Sequence, residues 1–240
     1  MGFRDLIEPG AACPRLDGFM APTVNSIEEL RDLERTLDHS DAARPPGRPL
    51  ELHILIETAL GMSRVEQILD ASRRVRSVSR GVGDHSMSIG GEDRLIGGAN
   101  KDHIVLRDGQ DVAGRQEHWN DRWHDASARI AIDCQAHGVA LIDGPLGNFS
   151  DPRGFRASTR RARTPGYVGK WALHPTQIAL GHEFFSPSAE EVSAARRVKE
   201  ALAVAQAAGK GAAQLDGRLI EAATLKVVDR VPARAEEKWT

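Results

Sequence analysis

Residues 50–58 read LELHILIET, and this stretch decides the fold class of the chain. A run rich in leucine and isoleucine that follows a proline-rich loop, here at 44–49, is typical of a buried β-strand. The run predicts a strand over 50–56, which Glu57 follows directly. The elements on either side of this strand then set the architecture.

Helical patterns alternate with strand-like runs on both sides of residues 50–56. Three predicted helix starts carry a capping box, in which a serine precedes a glutamate by three positions. These pairs are Ser26 with Glu29, Ser63 with Glu66, and Ser188 with Glu191. The remaining predicted strands are 17–24, 75–82, 139–142 and 167–173, a helix stripe covers 123–134, the last long helix runs from 188 towards 208, and a glycine-rich stretch occupies 83–114. This alternation predicts an α/β fold with a parallel sheet and right-handed crossovers.

The predicted strand count is about five, although the length of 240 residues lies close to the roughly 250 of a (β/α)8 barrel. A five-stranded open sheet and an incomplete barrel both agree with this pattern. Both designs place functional groups beyond the carboxyl ends of the strands. Candidate residues are therefore sought where each strand ends.

Composition excludes several functional classes. Thirty-two basic residues against 34 acidic ones give a formal net charge of −2, so nucleic-acid binding is not expected. No apolar run approaches 18 residues and the first residues lack a secretory-signal pattern, so neither a membrane span nor secretion is expected. Cys13 and Cys134 are far apart and are predicted to be reduced thiols of a cytoplasmic protein.

Glu57 is the strongest candidate for chemistry. An ionised glutamate directly after a buried strand is costly unless something compensates its charge. A metal ion or a substrate is one natural partner at such a strand end. A neighbouring basic residue, or a role in capping the next helix, is the other interpretation.

Asp84 follows the next predicted strand, within Gly81-Val82-Gly83-Asp84. Two carboxylates on consecutive strand ends of a parallel sheet point into the same crevice. Mg²⁺ suits such a site because it needs only one or two protein carboxylates and takes its other ligands from water and substrate. By itself, the motif also agrees with an ordinary turn in which Asp84 caps a helix.

The other polar motifs carry less information. The glycines between 81 and 98 fit no phosphate-binding motif and are interpreted as a mobile active-site loop or an irregular surface. His118 and His124 lack zinc-ligand spacing. His174 ends the predicted fifth strand, and Pro175 holds it extended. Asp216, before Gly217, reads by its pattern as a turn.

Several segments together resemble the HpcH/HpaI aldolase family, which contains the citrate lyase beta subunit and malyl-CoA lyase. The matching stretches are 54–58 (ILIET), 83–84 (GD), 121–124 (DRWH), 142–145 (IDGP), 169–178 (GKWALHPTQI), 185–187 (FSP) with 190–192 (EEV), and 215–218 (LDGR). They occur in family order over nearly the whole chain. The details of 121–124 and 142–145 are most similar to the malyl-CoA and β-methylmalyl-CoA lyase branch.

The resemblance implies a TIM (β/α)8-type barrel and a Mg²⁺-dependent carbon–carbon lyase, with Mn²⁺ as an alternative ion. Such an enzyme cleaves or forms malyl-CoA, methylmalyl-CoA or citramalyl-CoA, with an acyl-CoA and a 2-oxo acid as the other reactants, through an enolate. Glu57 and Asp84 match the metal-ligand positions. The positions that contact the substrate and CoA are matched by Glu57, Asp84, Gly83, Trp171 and His174. Asp216 matches the acidic catalytic residue of a C-terminal lid.

The chain also departs from the family pattern. Thr23 stands where the family usually has lysine, and Arg80 stands where it usually has phenylalanine, which predicts an extra charge near the metal. Nothing in residues 1–16 resembles the first three barrel strands, which bring CoA-contacting basic residues and an arginine that stabilises the enolate oxygen. The expected architecture is an N-terminally incomplete barrel over 1–185 and a C-terminal helix and lid over 186–240.

The lid's family role implies a homo-oligomer, either a trimer or a hexamer. Two further interpretations stay open. The same branch includes enzymes that hydrolyse the malyl-CoA thioester without carbon–carbon cleavage. The missing strands also agree with a truncated, non-catalytic family member.

Overall fold

The computed structural model describes residues 3–45, 47–91, 96–97, 100, 102–107, 115–119 and 121–228. The chain divides into two compact units, Met1–Gly181 and His182–Thr240. The first unit contains the parallel sheet, and the second contains a long helix and a small hairpin.

The strands are β1 (Gly18–Ala21), β2 (Glu51–Ile56), β3 (Val75–Arg80), β4 (Ile104–Arg107), β5 (Gln116–Trp119), β6 (Ala140–Asp143), β7 (Gly169–Lys170), β8 (Ala212–Leu215) and β9 (Arg218–Glu221). The helices are α1 (Phe3–Ala12), α2 (Ile27–Ala42), α3 (Ala59–Ser63), α4 (Val65–Asp70), α5 (Val82–Ser88), α6 (His124–His137), α7 (Pro152–Arg163), α8 (Ile178–Phe185), α9 (Ala189–Ala207) and α10 (Ala222–Val228), with a 3₁₀ turn at Pro175–Gln177. In the described part of the chain, no helix is long and apolar enough to cross a membrane.

The predicted five-stranded parallel sheet is confirmed. Its strands lie in the order β1-β2-β3-β6-β7, and every neighbouring pair is parallel. Strand order therefore follows chain order without reversal, as in the wall of a barrel, whereas a doubly wound sheet reverses at a switch point. All five strands consequently present their carboxyl ends to the same edge.

The two faces of the sheet differ in chemistry because side chains alternate along each strand. Leu52, Ile54 and Ile56 are fully buried and form the core with the apolar stripes of the helices. On the other face His53 pairs in register with Ser77, and its Nδ1 lies 2.6 Å from the Ser77 hydroxyl. The second face is therefore polar, and Glu57 continues it beyond the end of β2.

Of the three predicted capping boxes, one forms completely and a second provides only its N-cap serine. The Ser26 side chain accepts from the Glu29 amide, and Ser188 and Glu191 form a complete box at the start of α9. The prediction for Ser63 is wrong: its hydroxyl donates to the Leu60 carbonyl, because Ser63 ends α3 instead of opening the next helix.

The interpretation of the glycines between 81 and 98 as a loop is wrong for residues 82–88, which are helical. The helix α5 begins at Val82, and β4 and β5 form an antiparallel hairpin. Residues 92–95, 98–99, 101 and 108–114 lie outside the described part. The predicted strand 167–173 shortens to Gly169–Lys170, although Val168 and Trp171 still donate to β6 carbonyls.

Candidate active site

Glu57 lies where β2 ends and is only 6% exposed. The Thr23 hydroxyl donates to its Oε1 at 2.5 Å. Burial raises the pKa of the Glu57 carboxyl, the Thr23 hydrogen bond opposes this shift, and the nearby Asp84 carboxylate adds to it. A raised pKa is what an anion buried beside a second anion is expected to show.

Asp84 lies in the first turn of α5, the helix that begins directly after β3. Gly81 is the N-cap of this helix, and its amide donates to the Ile56 carbonyl at 3.1 Å. A Cβ atom at residue 81 would lie 2.5 Å from both the Cβ and the Oε2 of Glu57. The absence of a side chain at Gly81 therefore lets the start of α5 bring Asp84 close to Glu57.

The paired carboxylates of Glu57 and Asp84 fit a Mg²⁺ ion. No cluster of three or more histidine, cysteine, aspartate or glutamate side chains exists among the described residues. Mg²⁺ does not need one, since it binds through one or two carboxylates and completes its octahedron with water and substrate oxygens. A cation there would also relieve the mutual repulsion that contributes to the raised pKa of Glu57.

Trp171 lies on the polar face of the sheet, the same face that Glu57 continues. Its indole Nε1 donates to the Ser79 hydroxyl at 2.9 Å, so the ring reaches from the end of β7 to β3. Ser79 pairs in register with Leu55, two residues before Glu57. The structure therefore brings Trp171 to the same edge and face of the sheet as Glu57.

His174 and Gly83 occupy different surroundings. His174 is exposed, caps the 3₁₀ turn by accepting from the Thr176 amide, and stacks on Phe149 with ring centroids 4.9 Å apart. It lies beyond the end of β7 in an extended conformation, as predicted from Pro175. Gly83 lies inside α5, where its helical position keeps Asp84 in the first turn.

Asp216 belongs to the second unit. It lies in the turn between β8 and β9, with a φ of 51°, and both of its carboxylate oxygens accept from Arg197 of α9. Its side chain is 64% exposed, so this ion pair is a solvent-screened surface contact. The predicted turn at Asp216-Gly217 is present as β8 and β9 form a hairpin.

The sequence did not single out two features of the first unit. One is the Thr23 hydrogen bond to Glu57, for which the only signal was a threonine in place of the family's usual lysine. The other is a buried ion pair between Lys170 and Asp143. Both residues of that pair stood inside matched motifs, but no charge pattern along the chain connects them.

Arg80 corrects the expectation of an extra charge near the metal. It follows Val78 by two positions and therefore faces the helix side of the sheet, where its guanidinium lies 5.2 Å from the Trp123 ring centre. Arg80 is 3% exposed, and among the described residues its Nε and Nη1 have no hydrogen-bond partner. Its charge contributes to the lowered pKa of His85, after burial.

Replacing Arg80 by leucine is expected to raise the free energy of unfolding by about 1–4 kcal/mol, because a buried charge with no carboxylate partner among the described residues gives way to an apolar side chain. Chemical denaturation measures this change. The matched control is Arg76→Leu on the same strand, where an exposed arginine pairs with Glu51 and the change should stay below about 1 kcal/mol. A clear loss of stability in Arg80→Leu would contradict the reasoning.

Comparison with known proteins assigns this chain to a known family. The model of the HpcH/HpaI aldolase/citrate lyase family matches residues 4–175, and the chain belongs to this family. It is 39% identical over 232 residues to the L-malyl-CoA/beta-methylmalyl-CoA lyase of Cereibacter sphaeroides, which covers 97% of this chain and 70% of the relative. The malyl-CoA/beta-methylmalyl-CoA/citramalyl-CoA lyase of Chloroflexus aurantiacus is 34% identical over 213 residues, or 88% of this chain and 60% of the relative.

Solved structures show the same fold. A citrate lyase from Burkholderia xenovorans superposes with a TM-score of 0.76 at 22% identity, over 98% of this chain and 68% of that one. CitE from Mycobacterium tuberculosis, in complex with magnesium, acetoacetate and coenzyme A, superposes with a TM-score of 0.59 at 21% identity. That match covers 91% of this chain and 77% of the CitE chain. At these identities the likeness establishes architecture, and the five-stranded sheet corresponds to part of such a TIM-barrel-type protein.

Proposed function

We propose that the chain is a Mg²⁺-dependent carbon–carbon lyase acting on a 3-hydroxyacyl-CoA thioester such as malyl-CoA, methylmalyl-CoA or citramalyl-CoA. The products are an acyl-CoA and a 2-oxo acid. The observation that carries this proposal is the Glu57–Asp84 carboxylate pair at two neighbouring strand ends of a family member. The names of the relatives supply the substrate class.

In this proposal Glu57 and Asp84 hold the cation, which when bound supplies Lewis-acid polarisation and a template for the oxo acid. The Thr23 hydroxyl fixes the orientation of the Glu57 carboxylate. The Trp171 indole, held by Ser79 on the same face of the sheet as Glu57, lines the cleft. Gly83 lets the start of α5 approach the substrate, and His174 lines the outer part of the cleft.

Asp216, in the second unit, is assigned the transfer of the proton at the α-carbon of the acyl-CoA. Its exposed carboxylate can accept or donate a proton once it leaves Arg197, which is the task of a general acid or base. We propose residues 1–185 as the catalytic domain and 186–240 as the lid, in a cytoplasmic homo-oligomer in which the lid of one subunit serves a neighbour.

Malyl-CoA cleavage by the purified chain tests this function. Glyoxylate and acetyl-CoA should form with Mg²⁺ or Mn²⁺, and EDTA should abolish their formation in a way that added Mg²⁺ restores. Activity that is unchanged by EDTA would overturn the proposed metal dependence. The control is the same assay with heat-denatured protein, which corrects for spontaneous thioester hydrolysis.

Two other outcomes identify the alternatives. Release of free CoA and malate without glyoxylate would indicate a thioesterase of the same branch. No turnover of any of the three thioesters, together with the absence of a cooperative thermal transition, would indicate a non-catalytic protein that needs a partner to fold.

A further inference from the structure

The segment between β1 and α2 holds a threonine in an unusual backbone conformation. Among the described residues, two that are not glycine have a positive φ: Thr23 at 53° and Asp216 at 51°. Aspartate tolerates this left-handed region, whereas a β-branched threonine is strongly disfavoured there. Such a conformation persists only when the surrounding structure imposes it, and it is concentrated at functional sites.

The surroundings of Thr23 do impose this conformation. The Val24 amide donates to the Leu55 carbonyl of β2 at 3.2 Å, which ties the segment to the neighbouring strand. The side-chain oxygen of Asn25 accepts a hydrogen bond from the Thr58 hydroxyl. The backbone amide of Asn25 donates to the Glu29 carboxylate at 2.7 Å. The chain is thus anchored directly after Thr23, at positions 24 and 25.

What the conformation achieves is the placement of one hydroxyl group. Thr23 Oγ1 lies 2.5 Å from Glu57 Oε1 and donates to it. On the other side, Oε2 of Glu57 lies against the bare α-carbon of Gly81, where no Cβ would fit. The carboxylate is therefore held from both sides, with the donor on one oxygen and the close backbone on the other.

We infer that Thr23 is a positioning residue for cation binding, which orients Glu57 from a left-handed backbone without adding a charge. The inference rests on the proposed function in so far as Glu57 is taken as a cation ligand. A hydroxyl suits this task better than an ammonium group would, because a fixed positive charge beside Glu57 would compete with the cation for the carboxylate. Groups that orient a ligand in this way commonly contribute ten- to hundredfold to metal affinity.

Mn²⁺ binding to the full chain, followed by electron paramagnetic resonance, tests this inference. Thr23→Val keeps the shape of the side chain and removes the hydroxyl, so it should weaken Mn²⁺ binding about ten- to hundredfold. Thr23→Ser should bind Mn²⁺ as the wild type does. The control is Thr36→Val in α2, which removes the hydroxyl of a buried threonine that donates to the Asp32 carbonyl at 2.9 Å, and should leave Mn²⁺ affinity unchanged.

Thr23→Gly separates positioning from folding. Glycine accepts a positive φ without strain, so its thermal midpoint should equal or exceed that of Thr23→Val, while its Mn²⁺ affinity should be as weak as that of Thr23→Val. Wild-type affinity in either variant would overturn the inference, and so would wild-type Mn²⁺ binding in Glu57→Gln. Malyl-CoA turnover is measured separately: Thr23-dependent Mn²⁺ binding without turnover would overturn the proposed lyase activity and leave the positioning role standing.

Discussion

Glu57→Gln is expected to reduce Mg²⁺-dependent cleavage of malyl-CoA by roughly 10³-fold or more while leaving the fold intact. The substitution removes one of the two carboxylates assigned to the cation but keeps the size of the side chain. Stabilisation by a metal ion of charge that develops in the transition state is worth several kcal/mol, and about 4 kcal/mol corresponds to a thousandfold in rate. Steady-state kinetics over a range of Mg²⁺ concentrations measures the loss.

The stability of Glu57→Gln should not fall with its activity. Burial raises the pKa of Glu57, which means that the ionised form is less favourable in the folded protein than in the unfolded chain. The neutral amide removes that cost and can still accept from the Thr23 hydroxyl, so the thermal midpoint should stay equal or rise. Glu66→Gln, an exposed position on α4, is the control for both measurements. Full activity in Glu57→Gln would refute the metal site.

The sheet could be predicted from the sequence because its signals are local. The apolar runs of β2 and β6 lie where hydrophobic burial requires strands, and the capping residue Ser188 lies where α9 begins. The hairpin of β4 and β5 could not be predicted in this way. Its stability comes from pairing across the hairpin, and its sequence has neither the short turn nor the alternation that would indicate it.

The candidate site likewise contains residues that the sequence could predict and contacts that it could not. Glu57 and Asp84 could be found because Glu57 directly follows β2, Asp84 lies just beyond the end of β3, and parallel strands end at one edge. The sequence could not show that Thr23 donates to Glu57, since this contact depends on a backbone angle that threonine rarely adopts. It also could not show on which side of the sheet Arg80 lies, because the register of β3 decides that.

Lys170→Met is expected to lower the free energy of unfolding by roughly 3–5 kcal/mol. Lys170 Nζ lies 2.5 Å from Asp143 Oδ2 and 2.6 Å from the Gly144 carbonyl, and the lysine side chain is 3% exposed. Methionine fills a similar volume but leaves the Asp143 carboxylate without its cation in a poorly solvated place. Urea denaturation measures the loss, and a change below about 1 kcal/mol would show that the pair is screened like a surface ion pair.

A double-mutant cycle separates the ion pair from the packing of the lysine stem. Asp143→Leu alone should also destabilise the protein, but Lys170→Met with Asp143→Leu should recover most of the loss, because no unpaired charge remains. The pH dependence of the free energy of unfolding is an independent test of the buried Lys170 charge. Burial lowers the pKa of Lys170, so in the alkaline range below the pKa of an unfolded lysine the unfolded chain holds more protons than the folded one. The stability of the wild type relative to Lys170→Met should therefore increase as the pH rises through that range, and a constant difference would mean that Lys170 does not titrate there.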